Sequence, residues 1–319
     1  MNMAVCLLAY AVSLTVLGPG LLSRVTHAGA PRLGIGAWLA VMGSVLAAAV
    51  AAVALFASQA VDSWGRIGPV LTGCLAGLGM IARGGYGHLV QAGVLALAAT
   101  STLAVATLGT RVALALRRMR RGTRDHGNAV RIATGNTPRG PGGTYVVDSD
   151  RRGVYCVAGR PHTIVVTRAA VDALDDAQLA AVLAHERAHL TGRHHHVLAL
   201  TRALSTLFPR VRLFTQGADA VARLLEMRAD DVAARRHGSN TVVDALLALS
   251  LPSPAFTSEP PAAALNAATL AVTQRVERLL FPPHGITARI GFVTAIGPAL
   301  LGPVLTIGLM LTQPGMACS

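Results

Sequence analysis

Residues 179–190 have the sequence LAAVLAHERAHL, and this stretch decides the fold around it. It contains neither glycine nor proline, and its apolar residues are typical of a substantially buried helix. Asp175 and Asp176 directly precede it and offer an N-cap, while Thr191 and Gly192 follow it and would end the helix. The sequence therefore predicts one helix that runs from this cap to the end of the quoted stretch.

The ionisable residues of this helix have the spacing His-Glu-x-x-His. Residues four apart lie about 40° past a full turn and about 6 Å along the axis, so His185 and His189 share a face and can hold one Zn²⁺ ion. Glu186 lies one step around the helix, where it can act as general base on a water in metal-assisted amide hydrolysis. A chance grouping would bury three ionisable groups without partners, which is costly. The pattern therefore predicts a catalytic zinc site.

A second predicted helix supplies two further carboxylates one turn apart, Glu226 and Asp230. Glu226 follows apolar residues that can pack against the first helix, and we predict that it is the third zinc ligand. Asp230 is predicted to lie behind the ligands and to accept the free N–H of one imidazole. The other acidic residues after His189 have less suitable contexts: Asp219, Asp231, Asp244, Glu259 and Glu277.

Two other groups of residues near these helices receive structural interpretations. Glu277 lies between Arg275 and Arg278, and we expect these arginines to pair with it. Residues 194–196 are three consecutive histidines, whose side chains on a helix would point about 100° apart. They cannot converge on one ion, so we expect them in a loop or at a helix start.

The composition indicates a membrane protein. Of the 319 residues, 52% are hydrophobic and only 13% are charged, about half the charged fraction of an average soluble domain. Four apolar segments are long enough to cross a bilayer: residues 5–22, 35–56, 89–116 and 290–311. No basic residue precedes the first segment, which favours a retained span over a cleaved signal. The shorter apolar segment 67–82 is interpreted as a re-entrant or surface-packed loop.

The positions of the arginines predict the orientation of these spans. Arg24 and Arg32 lie between the first two spans, and a dense basic run at 117–121 follows the third. Because basic residues mark the cytoplasmic side, both termini are predicted outside. The net charge of +13 could also suggest nucleic-acid binding, but a basic run beside a span favours anionic lipid head groups. We therefore expect the lipid bilayer, and no nucleic acid, as a partner.

The predicted domains follow from these spans. Residues 1–116 form a membrane region with three transmembrane helices, residues 117–288 a cytoplasmic zinc metallopeptidase domain, and residues 289–319 a fourth transmembrane helix with a short extracytoplasmic tail. Within the middle domain, residues 121–143 are interpreted as a linker. Three short strands are predicted after it, at 144–147, 154–157 and 163–167. The fold class is therefore mainly α, a polytopic membrane protein with a cytoplasmic α+β domain.

The four cysteines give no sign of a thiolate zinc site, because they show no C-x-x-C spacing. Cys6 and Cys156 are interpreted as single buried or surface residues. Cys74 and Cys318 fall on the same predicted side of the membrane and could form a disulfide, but the sequence does not determine their geometry.

These motifs resemble those of the BlaR/MecR-type membrane peptidases, gluzincins that are related to the HtpX and prenyl-protease type. The similarity covers roughly residues 155–280 and is carried by VVT at 165–167, by the helix quoted above, by E-x-x-A-D at 226–230 and by RVERL at 275–279. The resemblance implies a zincin-like domain in which His185, His189 and Glu226 bind zinc. It also implies a protein or peptide substrate, either a cytoplasmic repressor or a membrane protein under quality control.

The sequence departs from the antibiotic-sensing members of that group, which continue after their last span into a penicillin-binding domain. Here the sequence ends at Ser319, so we expect a short form that takes its signal from a partner or from the membrane. A non-catalytic scaffold with a structural zinc is an alternative, but structural sites usually have four protein ligands. A transporter is a weaker alternative, because the predicted spans have no ionisable residue near their middle.

Overall fold

The computed structural model describes residues 3–26, 30–62, 88–157, 159, 161–251 and 262–282. Three long helices come first: α1 (Met3–Thr26), α2 (Pro31–Asp62) and α3 (His88–Ala133). Three strands follow: β1 (Tyr145–Val147), β2 (Val154–Val157) and β3 (Thr163–Thr167). Six helices complete the described chain: α4 (Arg168–Ala173), α5 (Asp176–Thr191), α6 (His194–Leu207), α7 (Arg212–His237), α8 (Ser239–Ser250) and α9 (Ala262–Leu280).

The first three helices contain the first three predicted spans. Each has a stretch that is long and apolar enough to cross a membrane: Ala4–Ser23, Pro31–Ala57 and Leu95–Ala133. The predicted mainly helical fold with apolar membrane helices and a small sheet is thereby confirmed. The predicted fourth span at 290–311, the segment 67–82 and residues Cys74 and Cys318 lie outside the described residues.

The interpretation of residues 121–143 as a linker was wrong for its first half, because α3 continues without a break to Ala133. The polar end of this helix is stabilised by the sheet, which the local sequence does not reveal. Val130 is buried in one cluster with residues of all three strands, and Arg131 Nη1 donates to Thr163 Oγ1 over 3.2 Å. Tertiary packing therefore outweighs the helix-breaking composition of this segment.

The three strands form one small sheet in the order β1-β3-β2, within one residue of the predicted positions. β3 pairs in parallel with β1 and antiparallel with β2, with Val165 opposite Tyr145 and Val166 opposite Val154. Val165 and Val166 are fully buried, as expected for a central strand between two layers of helices. β2 is an edge strand of the sheet and packs beside α5.

Helix α7 connects the apolar helices to the rest of the protein. One hydrophobic cluster combines buried residues of α1 and α2 with residues of α6 and α7. At its centre Gly217 lies against α2, where an added Cβ would be only 3.0 Å from both Met42 Sδ and Trp38 Cε3. The missing side chain therefore permits a close approach of α7 to α2.

We predict that Gly217→Leu destabilises the protein. The leucine must be accommodated against Trp38 and Met42, and overpacking of this kind costs about 1–3 kcal/mol. The melting temperature of the detergent-solubilised protein should therefore fall. Gly43→Leu is the matched control, because Gly43 lies on α2 beside Met42 with nothing within 4 Å of its added Cβ. Equal melting temperatures of the two variants would contradict the packing of α7 on α2.

Candidate metal centre

Helix α5 carries the first half of the site and begins and ends where its sequence predicts. Asp175 caps it through a reciprocal capping box with Gln178, and Gly192 is its C-cap. The helix packs against α7, α8 and β2, and His185 and Glu186 are buried, with 9% exposure each. Both residues therefore lie at a helix interface and not on a solvated face.

The two histidines of α5 meet Glu226 of α7. His185 Nε2 lies 3.0 Å from His189 Nε2 and 3.3 Å from Glu226 Oε2, while His189 Nε2 lies 3.5 Å from Glu226 Oε1. Neighbouring ligand atoms of a tetrahedral zinc site with bonds of about 2.0–2.1 Å are about 3.3 Å apart. The three side chains, whose ligand atoms all lie within 4.8 Å of one another, therefore fit a Zn²⁺ ion.

The electrostatics of this group suit a cation. Burial raises the pKa of Glu226, but hydrogen bonds from His185 and His189 outweigh this effect and hold the pKa well below its usual range. Burial lowers the pKa of His185, whereas hydrogen bonds to Asp230 and Glu226 raise it to about 9 overall. The pocket thus stabilises positive charge between the imidazoles and the carboxylates.

Asp230 lies behind His185, as expected for a residue that orients a ligand. Its Oδ1 atom is 3.0 Å from His185 Nδ1, and its side chain is only 1% exposed. Burial raises the pKa of Asp230, but hydrogen bonds from Arg275 and His185 lower it below its usual range. The contact leaves His185 Nε2 facing Glu226 and His189, which is the geometry that ligation requires.

The expected pairing of Arg275 and Arg278 with Glu277 was wrong. Helix α9 packs against α7, and the two arginines, three residues apart, face Asp230 and Asp231. Glu277 is exposed. The packing of α9 on α7 brings Asp230 and Asp231 opposite the two arginines. Glu277 is only one or two residues from each arginine on the same helix, and side chains at that spacing do not face each other.

Glu186 lies outside the group of three possible metal ligands, so its carboxylate can accept a proton. Burial raises its pKa, an effect that the nearby His185 and His189 partly oppose. Cys156 on β2 lies near the Glu186 carboxylate, and burial together with the negative charge of this carboxylate raises the pKa of the thiol. A carboxylate whose pKa is raised is a better proton acceptor at neutral pH.

His194 is a further member of the site that the sequence reasoning missed. Helix α6 begins at His194, which agrees with the expected helix start, but its Nδ1 atom also lies 2.9 Å from His189 Nδ1. Burial and the neighbouring His189 lower the pKa of His194 to about 4, so it is neutral at pH 7. The sharp turn at Arg193, which has a positive φ of 52°, brings His194 back to α5, and no local periodicity signals this.

A cleft of about 250 Å³ opens beside the ligand group. His185, Glu186, Glu226 and Arg275 line its polar end. Asp230 and Ser250 also line the cleft, and the apolar part of its wall includes Val182 of α5, Leu246 and Leu249 of α8 and Val272 of α9. The arrangement can hold an extended ligand whose polar group meets the metal site while a side chain enters an apolar pocket.

Comparison with known proteins supports a metallopeptidase. Residues 133–264 match the sequence model of peptidase family M48, whose members are zinc metallopeptidases. No curated protein and no solved structure gives a significant match to the chain. The matched segment contains the strands, α5 and α7, and therefore every residue of the predicted ligand group, but it ends before Arg275.

We predict that Glu226→Ala sharply lowers the zinc content of the purified protein. The substitution removes one of three ligands, and the two imidazoles that remain bind zinc weakly. Glu277→Ala is the control, because this exposed glutamate lies outside the ligand group. Metal analysis of both variants checks the assignment, and full zinc content in Glu226→Ala would refute it.

Proposed function

We propose that the protein is a membrane-bound zinc endopeptidase that cleaves protein substrates at the cytoplasmic face of the membrane. The observation that carries this proposal is the meeting of two imidazoles and one carboxylate beside a cleft, with the buried Glu186 next to them. Three ligands leave a coordination position open, as in catalytic zinc sites, whereas structural sites usually use four. The similarity of residues 133–264 to peptidase family M48 supports the same reaction class.

Each residue of the site would have a distinct role in peptide hydrolysis. Zinc held by His185, His189 and Glu226 would supply Lewis-acid polarisation of the scissile carbonyl and lower the pKa of water. Glu186 accepts the proton of the attacking water and then donates it to the leaving amine. Its burial favours both steps, because a raised pKa brings the two protonation states of the carboxyl group closer in free energy.

The walls of the cleft favour a substrate with an apolar side chain next to the scissile bond. Leu246 and Leu249 of α8 and Val272 of α9 line the cleft, and they would disfavour a charged side chain because its desolvation is costly. The resemblance of the sequence to BlaR/MecR-type and HtpX-type peptidases suggests a cytoplasmic repressor or a membrane protein under quality control as the substrate. Regulatory or quality-control proteolysis is therefore the proposed role.

The three apolar helices support membrane association of the enzyme. Helix α7, which carries Glu226, packs directly on α1 and α2, and this contact would hold the cleft close to the bilayer surface. The exposed arginines 117, 118, 120, 121 and 124 follow the apolar part of α3, and they support a cytoplasmic position of the cleft.

Glu186→Gln is expected to bind zinc and to lose at least about a hundredfold in peptidase activity. The amide preserves the shape of the side chain but cannot accept the proton. Zinc content and cleavage of an apolar model peptide are measured on the same preparation, with and without a chelator. Activity within a few-fold of the unmodified protein would exclude Glu186 as the base, and zinc-loaded unmodified protein without chelator-sensitive cleavage would favour a non-catalytic scaffold.

The orientation is tested with reporters fused after Asn136, just beyond α3, and at Ser319. We expect the first fusion to be active only with a cytoplasmic reporter and the second only with an extracytoplasmic one, because the basic run after the third span should remain in the cytoplasm. An extracytoplasmic signal from the fusion at Asn136 would place the cleft on the opposite face of the membrane.

A further inference from the structure

Two arginine–carboxylate pairs join α9 to α7. Arg275 Nε and Nη2 donate to Asp230 Oδ2 and Oδ1 over 2.7 and 2.6 Å. Arg278 Nη1 and Nη2 donate to Asp231 Oδ1 and Oδ2 over 2.6 and 3.1 Å. Both are two-pronged pairs, the geometry in which arginine binds a carboxylate most strongly.

The two pairs differ in what their carboxylates contact. Asp230 is 1% exposed and also accepts from His185 Nδ1, whereas Asp231 is 29% exposed. Within the described residues, Asp231 forms no hydrogen bond or ion pair with the predicted zinc ligands. Arg275 Nη1 also lies 3.6 Å from Glu226 Oε2. Only the Arg275 pair is therefore connected to the metal centre.

Arg275 also balances the charge of the centre. With zinc bound, the two positive charges of the ion and the single charge of Arg275 equal the three negative charges of Glu226, Asp230 and ionised Glu186. A buried carboxylate without a partner is costly, and the Arg275 guanidinium is the cation that faces Asp230 from α9. Burial lowers the pKa of Arg275, but the hydrogen bonds to Asp230 raise it above its usual value, so the charge is permanent.

We infer that Arg275 is a positioning residue of the zinc centre, which fixes Asp230 behind His185 and steadies Glu226 from the side of α9. This inference rests on the proposed zinc site but not on peptide hydrolysis. If Arg275 has this role, the zinc ligands adopt their correct geometry only when α9 is packed on α7. Residue 275 lies beyond the segment that matches peptidase family M48, and the role inferred for it is argued from its contacts with Asp230 and Glu226.

The test compares Arg275→Lys with Arg278→Lys in the full-length, detergent-solubilised protein. Lysine keeps the positive charge, so repulsion of the Zn²⁺ ion is unchanged, but it cannot form the two-pronged contact. The two arginines are closely matched, since they lie on one helix and their side chains are 17% and 19% exposed. Zinc dissociation constants are measured by competition with a chelator, and Co²⁺ absorption spectra report the ligand geometry.

We expect Arg275→Lys to weaken zinc binding about tenfold and to change the Co²⁺ spectrum. Mutation of residues that hydrogen-bond to a metal ligand typically lowers metal affinity about 10- to 100-fold, and the retained positive charge favours the lower value. Arg278→Lys should leave zinc affinity within about threefold and the spectrum unchanged, although both variants lose thermal stability. Equal zinc affinities and identical spectra of the two variants would overturn the inference.

A double-mutant cycle keeps the inference testable through Asp230. Since the shortest contacts of Arg275 are with this carboxylate, Arg275→Lys should lower zinc affinity clearly less in an Asp230→Asn background than in the unmodified protein. Fully additive losses would overturn the inference. Zinc binding by the unmodified protein without any proteolysis would refute the proposed enzymatic function and leave the role of Arg275 intact, so the two failures are distinguishable.

Discussion

The two-sided packing of α7 is the constraint on which the rest of the structure depends. One face of this helix lies against α2, where Gly217 meets Trp38 and Met42. Farther along, α7 packs against α5, and the fully buried Ala233 lies in one cluster with Ala181 and Ala184 of α5. Because these small residues let α5 and α7 approach closely, short side chains such as Asp230 can reach across the interface.

This arrangement links the apolar helices to the metal centre through one rigid element. A shift of α7 relative to α2 would move Glu226 and Asp230 together, since both lie on the same helix. Buried charged residues also fix the position of α7, relative to α5 and α9. His185, Asp230 and Arg275 are all mostly buried and hydrogen-bonded in a row, and a displaced member would leave an uncompensated charge in the interior.

Local patterns in the sequence predicted the features that depend on neighbouring residues. The helix with His185 and His189 follows from periodicity and capping, and the three strands follow from β-branched runs between turn residues. The approach of Glu226 to the two histidines was inferred because apolar residues precede it on a helix of its own. The helix and strand positions are decided within one or two turns of the chain, and only the pairing of Glu226 with the histidines needed an inference about helix packing.

Other features depend on contacts between distant segments and could not be predicted in this way. Arg275 contacts Asp230, from which it is 45 residues distant in sequence, because α9 packs on α7. His194 reaches His189 through a left-handed turn at Arg193, and Cys156 reaches Glu186 because β2 is the edge strand beside α5. The continuation of α3 through Gly127 and Val130 likewise depends on the sheet that supports it.

The central claim is that two imidazoles and one carboxylate hold a zinc ion in an otherwise open site. X-ray absorption at the zinc edge of the purified protein tests this claim most directly. The account predicts a first shell of nitrogen and oxygen atoms at about 2.0–2.1 Å, with outer-shell scattering from two imidazole rings and no sulfur. A sulfur ligand at about 2.3 Å, or outer-shell scattering from more or fewer than two imidazoles, would contradict it.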